Sequence, residues 1–213
     1  LHLSQALIEK IQALRAQRNA VILAHNYQIA EVQDIADFVG DSLGLARQAA
    51  ATDADVIVFC GVLFMAETAA ILSPQRTVLL PDPTAGCPLA DMITPEALDE
   101  LKAKHPDALV VSYVNSPASI KARSDYCCTS GNAVELVQAL PAGRPVLFVP
   151  DQHLGRFVEQ QTGRRMILWP GYCPTHVSIS DDDIAQAKRL YPDAVVMAHP
   201  ACSEPVKDLA AAL

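Results

Sequence analysis

Two cysteines in stiff loops are the residues of this sequence best suited to hold a metal. Cys87 and Cys173 each precede a proline, in the stretches "TAGCPLADM" and "WPGYCPTH". With a third equivalent thiolate they would suit an iron–sulfur cluster that keeps one iron free of protein ligands, because four thiolates saturate a [4Fe–4S] cluster. The open iron could act as a Lewis acid toward substrate oxygens.

Zinc is the alternative metal at the same two loops. Cys173 and His176 have the spacing C-x-x-H, and together with Cys87 they could fill three of the four tetrahedral positions around zinc. Two cysteines that lie 86 residues apart carry no local signature of either metal. Both metals therefore remain open on these residues alone.

Polar side chains follow three apolar runs at the point where each run ends. The groups are His25-Asn26-Tyr27, Tyr113-Val114-Asn115 and His199-Pro200. Parallel α/β units bind ligands at the carboxyl ends of their strands. We therefore expect one shared site to be lined by His25, Tyr27, Tyr113, Asn115 and His199.

Two serines stand where an anion could be held. Ser42 in "GDSLGLARQAA" and Ser130 in "CTSGNAVELVQAL" lie at or just before a predicted helix start. Exposed N–H groups and the helix dipole favour a carboxylate or phosphate there, although plain helix capping would use the same residues. The sequence has no P-loop, G-x-G-x-x-G or G-x-S-x-G pattern, so nucleotide hydrolysis and hydrolase-elbow chemistry lack support.

An internal repeat relates these groups to one another. "HPDALVVSYVN" (105–115) aligns with "YPDAVVMAHPA" (191–201), and the same offset of 86 residues carries Cys87 onto Cys173 and Thr94 onto Ser180. An earlier copy is visible as "AVILAHNYQ" (20–28), in which His25 lies 88 residues before Tyr113. A cysteine, a helix cap and a strand end matching at one offset indicate a true repeat.

The repeat predicts three related units, each a three-stranded αβα layer. The first domain is expected over 1–83, the second over 84–168, and the third over 169–213 with its remaining elements missing. A third cysteine is then expected beyond residue 213, one repeat length after Cys173, near position 259. Packed around a pseudo-threefold axis, the three units would direct their strand ends toward one cavity.

The local patterns agree with an α/β fold built on parallel sheets. Apolar, β-branched runs predict strands at 20–25, 55–60, 77–81, 109–114, 146–150, 166–169 and 194–198. Between them lie amphipathic segments such as 4–17 and 95–105. Helix starts are predicted at Thr94-Pro95, at Ser180 with Asp183, and at Asn132 with Glu135.

Composition narrows the class of protein. The chain of 213 residues is 51% hydrophobic and carries a net charge of −8, so it can bury a core and lacks the basic surface of a nonspecific nucleic-acid binder. Its longest apolar run, 56–66, is much shorter than the roughly 20 residues that cross a bilayer. No signal peptide is visible, so we expect a soluble, cytoplasmic protein with reduced thiols and no membrane or nucleic-acid partner.

Ordered segments along nearly the whole chain resemble the quinolinate synthase family. They are "AHNYQ", "GDSLGLARQAA", "GVLFMAETAAIL", "PDPTAGCPLADM", "SYVNSPASIKARSDYCCTSGNA", "PDQHLGR", "WPGYCPTH" and "AHPACSEPV". The resemblance implies three pseudo-threefold αβα domains around a [4Fe–4S] cluster held by three cysteines. It also implies a transferase of de novo NAD biosynthesis that condenses iminoaspartate with dihydroxyacetone phosphate, with an L-aspartate oxidase supplying the iminoaspartate.

The resemblance also implies roles for individual residues. Cys87 and Cys173 match two cluster ligands, His25 and Tyr27 match groups suited to proton transfer, and Tyr113 and Asn115 match groups that orient the intermediate. Ser42, Ser130 and His199 match residues that bind substrate. The family usually has His-Pro-Glu-Cys where this chain has His199-Pro200-Ala201-Cys202, so a role for an acid at position 201 is in doubt. A zinc-dependent lyase and a noncatalytic dicarboxylate-binding protein are the alternatives.

Overall fold

The computed structural model describes residues 4–213 and contains two compact units. The first unit ends at Cys87, and the second runs from Pro88 to Leu213. Each unit has a parallel sheet of four strands flanked by helices, which confirms the predicted α/β class. The predicted division at 83 and 168 into three domains stays a prediction.

The first unit alternates helices and strands from its beginning. Its elements are α1 (Gln5–Gln17), β1 (Ala20–His25), α2 (Ala30–Asp34), β2 (Phe38–Gly40), α3 (Ser42–Ala51), β3 (Val56–Cys60), α4 (Leu63–Leu72) and β4 (Thr77–Leu79). The strand order is β2-β1-β3-β4. Strand β1 lies in the interior of the sheet, and its residues Val21 to Ala24 are all buried, as expected for a parallel strand covered on both faces.

The second unit repeats this alternation and then continues. Its elements are a 3₁₀ turn (Ala90–Met92), α5 (Pro95–Lys104), β5 (Leu109–Tyr113), α6 (Ala118–Lys121), β6 (Tyr126–Cys128), α7 (Ala133–Ala139), β7 (Val146–Val149), α8 (Gln152–Thr162), β8 (Ile167–Leu168), α9 (Pro174–Val177), α10 (Asp181–Leu190) and α11 (Glu204–Asp208). The strand order is β6-β5-β7-β8. Leu98, Val110 and Ile120 from successive elements share one apolar cluster, so burial of this cluster positions the helices on the sheet.

Equivalent hydrogen bonds show the repeat in the structure. In the first unit Asp37 accepts the N–H of Ile22 at Oδ2 over 2.8 Å, and its own N–H donates to the carbonyl of Ile22 over 2.9 Å. In the second unit Asp125 and Val110 make the same two bonds, at 2.8 and 2.9 Å. Both residues of the pair are displaced by 88 positions, which is the offset between His25 and Tyr113.

The structure corrects the predicted number of strands in each sheet. Each sheet has four strands rather than three, because the edge strands β2 and β6 were not predicted from the sequence. Both are three residues long and largely exposed, so they carry no buried periodic pattern. The predicted strand at 194–198 is wrong, since this segment makes only one isolated parallel bridge, from Met197 to Ala212. A ladder needs more than one residue pair, and this bridge is the single pair that the segment forms among the described residues.

The predicted helix starts are confirmed at all three places, and the predicted side-chain caps at two of them. Thr94 accepts the N–H of Ala97 at the start of α5, and Ser180 forms a capping box with Asp183 at the start of α10. The capping box predicted at Asn132 is wrong, because its Oδ1 accepts the N–H of Thr129 instead of capping α7. Within residues 4–213, no helix combines the length and the apolar character that a bilayer crossing requires.

We predict that Asp125→Ala lowers the free energy of unfolding by about 1–3 kcal/mol, because it leaves the buried N–H of Val110 without an acceptor. Chemical denaturation of the purified protein measures this loss. The control is Asp107→Ala at an exposed position, which should change the free energy of unfolding by less than about 0.5 kcal/mol. Equal effects of the two substitutions would contradict the role of the Asp125 carboxylate.

Candidate functional site

The topology of each sheet marks the edge where a ligand would bind. In the first unit the chain passes from β1 to β2 on one side and then to β3 on the other, so the carboxyl ends of β1 and β3 flank a topological switch point. Open α/β sheets bind ligands in the crevice at such a point. The carboxyl ends of β5 and β7 flank the corresponding point in the second unit. His25 ends β1 and Tyr113 ends β5, as the sequence predicts.

A tight turn places His25 and Tyr27 side by side. Their ring centroids are 4.0 Å apart, and the backbone N–H of Tyr27 donates to Nδ1 of His25 over 3.3 Å. Gln33 on α2 holds the turn by donating from Nε2 to the carbonyls of Asn26 and Gln28, over 3.2 and 2.6 Å. The predicted pair is therefore brought together by the first turn after the strand.

The hydroxyl of Tyr27 lies among groups that keep it protonated. Its oxygen is 3.7 Å from Sδ of Met65. Burial, with a smaller contribution from Cys87, raises the pKa of Tyr27 to about 12, although a hydrogen bond from the backbone of Val62 opposes the increase. Tyr27 is thus a protonated phenol at neutral pH and can donate a proton. The effect of Cys87 on this pKa also means that the predicted metal ligand lies near Tyr27 in the same unit.

Ser42 is the first residue of α3, but it is not the helix cap. Asp41 caps this helix by accepting the N–H of Gly44 at Oδ1 over 2.7 Å. The capping explanation for Ser42 is therefore wrong, and the serine lies at a helix N-terminus as an anion-binding residue would. Burial lowers the pKa of His25, and the negative charge of Asp41 partly offsets this effect.

Local hydrogen bonds shape the loop that carries Cys87. Asp82 accepts the N–H and the hydroxyl of Thr84 at Oδ1, over 2.9 and 2.7 Å. The carbonyl of Ala85 then accepts the N–H of Leu63 over 2.8 Å, which attaches the loop to the start of α4. Cys87 follows two residues beyond this attachment and is half-buried.

Tyr113 is the buried counterpart of His25 in the second unit. Burial raises its pKa, the nearby Asp151 adds to the increase, and a hydrogen bond with Ser130 opposes it. Ser130 is therefore brought to Tyr113, and it is not the cap of α7. Asn115 lies two residues beyond Tyr113 and is partly exposed at the same edge of the sheet.

The loop that carries Cys173 is anchored from two directions. Trp169 donates from Nε1 to the carbonyl of Met92 over 3.0 Å. Gly171 accepts the N–H of Gln152 over 2.8 Å, and a Cβ on Gly171 would lie 2.3 Å from the carbonyl oxygen of Pro150. The loop can approach β7 this closely only because residue 171 has no side chain.

The surroundings of Cys173 make its thiol more acidic than that of an ordinary cysteine. Burial alone would raise its pKa, but hydrogen bonds and charge from His176 outweigh burial and lower it. The same hydrogen bond raises the pKa of His176. A lowered pKa favours the thiolate, which is the form that binds metals. The C-x-x-H spacing in the sequence thus corresponds to a real contact.

His199 stacks on His176, the residue that contacts Cys173. The two ring centroids are 4.3 Å apart with an interplanar angle of 1°. Burial, together with the nearby His176, lowers the pKa of His199 to about 4. Nδ1 of His199 accepts the N–H of Ala201 over 3.1 Å, and Ala201 itself is fully buried.

Asp151 is a site residue that the sequence analysis missed. It follows β7 at the switch point, is fully buried, and caps α8 by accepting the N–H groups of His153 and Leu154 at Oδ1. Its Oδ2 is buried without a hydrogen-bond partner among the described residues. Burial raises its pKa beyond what these hydrogen bonds offset. The quoted segment "PDQHLGR" contained this residue, but an aspartate before a helix is typical of an ordinary cap.

The cysteine thiols are chemically suited to bind the iron of an iron–sulfur centre. None of the six cysteines in the described range forms a disulfide, and Cys87 and Cys173 are both half-buried. Across residues 4–213 no group of three or more histidine, cysteine, aspartate or glutamate side chains is arranged to hold a metal ion. The described chain therefore offers suitable thiolate donors without a complete set of ligands.

Comparisons with known proteins agree on one family. Residues 9–213 match the family described as Quinolinate synthetase A protein. The chain is 57% identical over 206 residues to a quinolinate synthase of Dehalococcoides mccartyi (strain CBDB1), which covers 97% of this chain and 68% of that protein. It is 56% identical over 210 residues to a quinolinate synthase of Desulforudis audaxviator (strain MP104C), covering 99% and 69%. A quinolinate synthase of Synechococcus sp. (strain ATCC 27144) is 58% identical over 200 residues, covering 94% and 62%.

We predict that Gly171→Ala destabilises the second unit by about 1–3 kcal/mol, because the added methyl group would overlap the carbonyl oxygen of Pro150. Thermal and chemical unfolding measure the loss. Gly131→Ala is the matched control, since a Cβ at that position meets only Oγ1 of Thr129 at an ordinary 3.8 Å. A Gly171→Ala protein as stable as the control would contradict the close approach of the loop to β7.

Proposed function

Because the chain belongs to the quinolinate synthetase A family, we propose that its full-length protein condenses iminoaspartate with dihydroxyacetone phosphate to form quinolinate for NAD biosynthesis. The observation that carries the proposal is the 57% identity to a quinolinate synthase over nearly the whole chain. The position of the polar groups at the switch points supports it, since this is where an α/β protein would bind small anionic reactants.

A [4Fe–4S] cluster is the cofactor that we propose for this reaction. Cys87 and Cys173 would supply two of its ligands, and a third cysteine would come from the chain beyond residue 213. When bound, the cluster would supply a Lewis-acidic iron that polarises a substrate oxygen. The contact of Cys173 with His176 supports the assignment, because it favours the thiolate before any metal arrives.

The residues of the chain divide the remaining work according to their surroundings. Tyr27 would donate a proton from its hydroxyl during enolisation, ring closure or dehydration, since this hydroxyl is protonated at neutral pH. Tyr113 and Asn115 would orient the intermediate through their hydroxyl and carboxamide groups. Ser42 and Ser130 would hold its carboxylate or phosphate groups. Phosphate and water leave as the pyridine ring closes.

His25 and His199 complete the proposed substrate contacts. His25 ends β1 beside Tyr27, and His199 stacks on the ring of His176, which contacts Cys173. Both imidazoles have a lowered pKa because they are buried, so both are neutral near pH 7. The proposed supply of iminoaspartate by an L-aspartate oxidase and the cytoplasmic location remain predictions from the sequence.

A zinc-dependent lyase is the second candidate function, and the contact between Cys173 and His176 is the observation that favours it. The two candidates differ in metal content and in product. Anaerobic purification of the full-length protein, followed by iron, sulfide and zinc analysis, separates the two metals. Incubation with iminoaspartate and dihydroxyacetone phosphate, with detection of quinolinate, tests the reaction. A colourless protein with one zinc and no quinolinate would reject the first proposal.

We predict that Cys87→Ala and Cys173→Ala each abolish cluster binding and activity in the full-length protein. Loss of one of three thiolate ligands leaves the cluster too weakly held to survive purification. Iron and sulfide content and the visible spectrum measure the loss. Cys127→Ala is the control, because Cys127 is an exposed residue of the edge strand β6 and should keep a full cluster. An intact cluster in either ligand variant would contradict that assignment.

We predict that Tyr27→Phe keeps the cluster and lowers kcat by about 10²–10⁴-fold, as expected when a group that transfers a proton is removed. Steady-state kinetics and the visible spectrum of the same sample check both parts. Tyr126→Phe removes the hydroxyl of an exposed tyrosine on β6 and should leave kcat unchanged. Near-normal turnover by Tyr27→Phe would exclude Tyr27 as an acid.

A further inference from the structure

The same hydrogen bond occurs after the end of β1 and at the equivalent position of the repeat in the second unit. The N–H of Tyr27 donates to Nδ1 of His25 over 3.3 Å, and the N–H of Ala201 donates to Nδ1 of His199 over 3.1 Å. In both cases the donor lies two residues beyond the histidine. The two pairs lie 174 residues apart in sequence, which is the sum of the two repeat offsets. One local geometry therefore recurs in both compact units.

This hydrogen bond determines which ring nitrogen carries the hydrogen. An imidazole nitrogen that accepts a backbone N–H uses its lone pair and cannot be protonated at the same time. The hydrogen of the neutral ring must then lie on Nε2. Nε2 is the nitrogen farther from the backbone, so each ring keeps one N–H donor at its far side.

A second repeated contact holds each turn in the shape that makes this bond. Gln33 donates from Nε2 to the carbonyl of Asn26 over 3.2 Å, and Lys207 donates from Nζ to the carbonyl of Pro200 over 3.4 Å. Gln33 lies eight residues after His25, and Lys207 lies eight residues after His199. Each donor therefore comes from the short helix that follows the turn, α2 in one unit and α11 in the other.

We propose that His25 and His199 are held as neutral Nε2–H imidazoles that donate hydrogen bonds to acceptor oxygens of the reactants and take up no proton during turnover. Gln33 and Lys207 are then positioning residues, which act through the turns and touch no reactant. The proposal rests on the proposed function for the identity of the reactants. Their carboxylate, carbonyl and phosphate oxygens are hydrogen-bond acceptors and match two N–H donors.

The surroundings of His25 agree with a neutral state. Burial lowers the pKa of His25 despite the opposing charge of Asp41. A ring that is difficult to protonate makes a poor base and remains a donor. The proposal therefore assigns proton transfer to Tyr27 and gives His25 the role of a hydrogen-bond donor.

The tautomer can be measured without any assay of activity. Full-length protein labelled with ¹⁵N-histidine is studied at neutral pH by long-range ¹H–¹⁵N correlation, and the signals of His25 and His199 are assigned from their loss in His25→Gln and His199→Gln. We expect a non-protonated Nδ1 and a protonated Nε2 in both rings. A protonated Nδ1 in either ring would overturn the proposal for that histidine.

Gln33→Met tests the positioning role, because methionine keeps the length of the side chain and removes the amide donor. We expect a mixture of the two His25 tautomers and a rise in KM of about 3- to 10-fold, corresponding to the loss of a neutral hydrogen bond. Gln5→Met makes the same change on α1, where exposed Gln5 donates a hydrogen bond to Glu9, and should alter neither quantity. An unchanged tautomer in folded Gln33→Met would overturn the role of Gln33.

Two substitutions of His25 distinguish a donor from a base. His25→Gln keeps an N–H near the position of Nε2, so kcat should fall by less than about tenfold, whereas His25→Glu offers only an acceptor and should raise KM by about 100-fold or more. A fall in kcat of about 10²–10⁴-fold in folded His25→Gln would overturn the proposal, because this is the loss expected for a general base. Absence of quinolinate formation by the unsubstituted full-length protein would instead reject the proposed function and leave the tautomer result standing.

Discussion

Parallel strand pairing is the constraint on which the rest of each unit depends. All strands of a sheet point the same way, so their carboxyl ends meet at one edge, and the order β2-β1-β3-β4 opens a crevice between the two inner strands. The interior strands satisfy their backbone groups through neighbours on both sides. The chain just beyond them is then free to form irregular turns, and Tyr27, Asn115 and Asp151 lie in the segments that directly follow β1, β5 and β7.

Partial burial at this edge gives similar residues a common chemical state. It keeps the two tyrosines protonated and the two strand-end histidines neutral, because a charge would lose its hydration there. Cys173 behaves differently, since a specific partner, His176, overcomes the effect of burial. The second unit therefore combines neutral hydrogen-bond donors, Tyr113 and His199, with one thiol whose metal-binding thiolate form is favoured.

Local signals in the sequence predicted those features that depend on few residues. Thr94 with Pro95 marks the start of α5 because cap chemistry involves only one helical turn. The interior strands were predicted because burial on both faces leaves a continuous apolar run. The edge strands β2 and β6 were missed because they form only where β1 or β5 already offers a partner. The segment at 194–198 was predicted as a strand, but in the part of the chain that the structure describes it finds only the single bridge from Met197 to Ala212.

The candidate site was predicted in its residue types and not in its internal geometry. The repeat identified His25, Tyr113 and His199 as equivalent strand ends, because their spacing is visible in one dimension. Asp151 was missed since only the folded chain shows that this cap is fully buried with a carboxylate oxygen left over. The tautomers of the two histidines could not be predicted from the sequence either. Each depends on a turn whose carbonyl accepts a hydrogen bond from a side chain eight residues after the histidine.

The two donors that hold these turns differ in charge, and this difference has a consequence for how the duplicated units can diverge. The carbonyl of Asn26 meets a neutral carboxamide, whereas the carbonyl of Pro200 meets a buried ammonium group whose charge is balanced by Glu204. The turn requires a hydrogen-bond donor, and this donor can be neutral or positively charged. Copies of an ancestral unit could therefore accumulate different electrostatic fields behind the same scaffold, so that each specialises toward a different part of a reactant while the backbone stays the same.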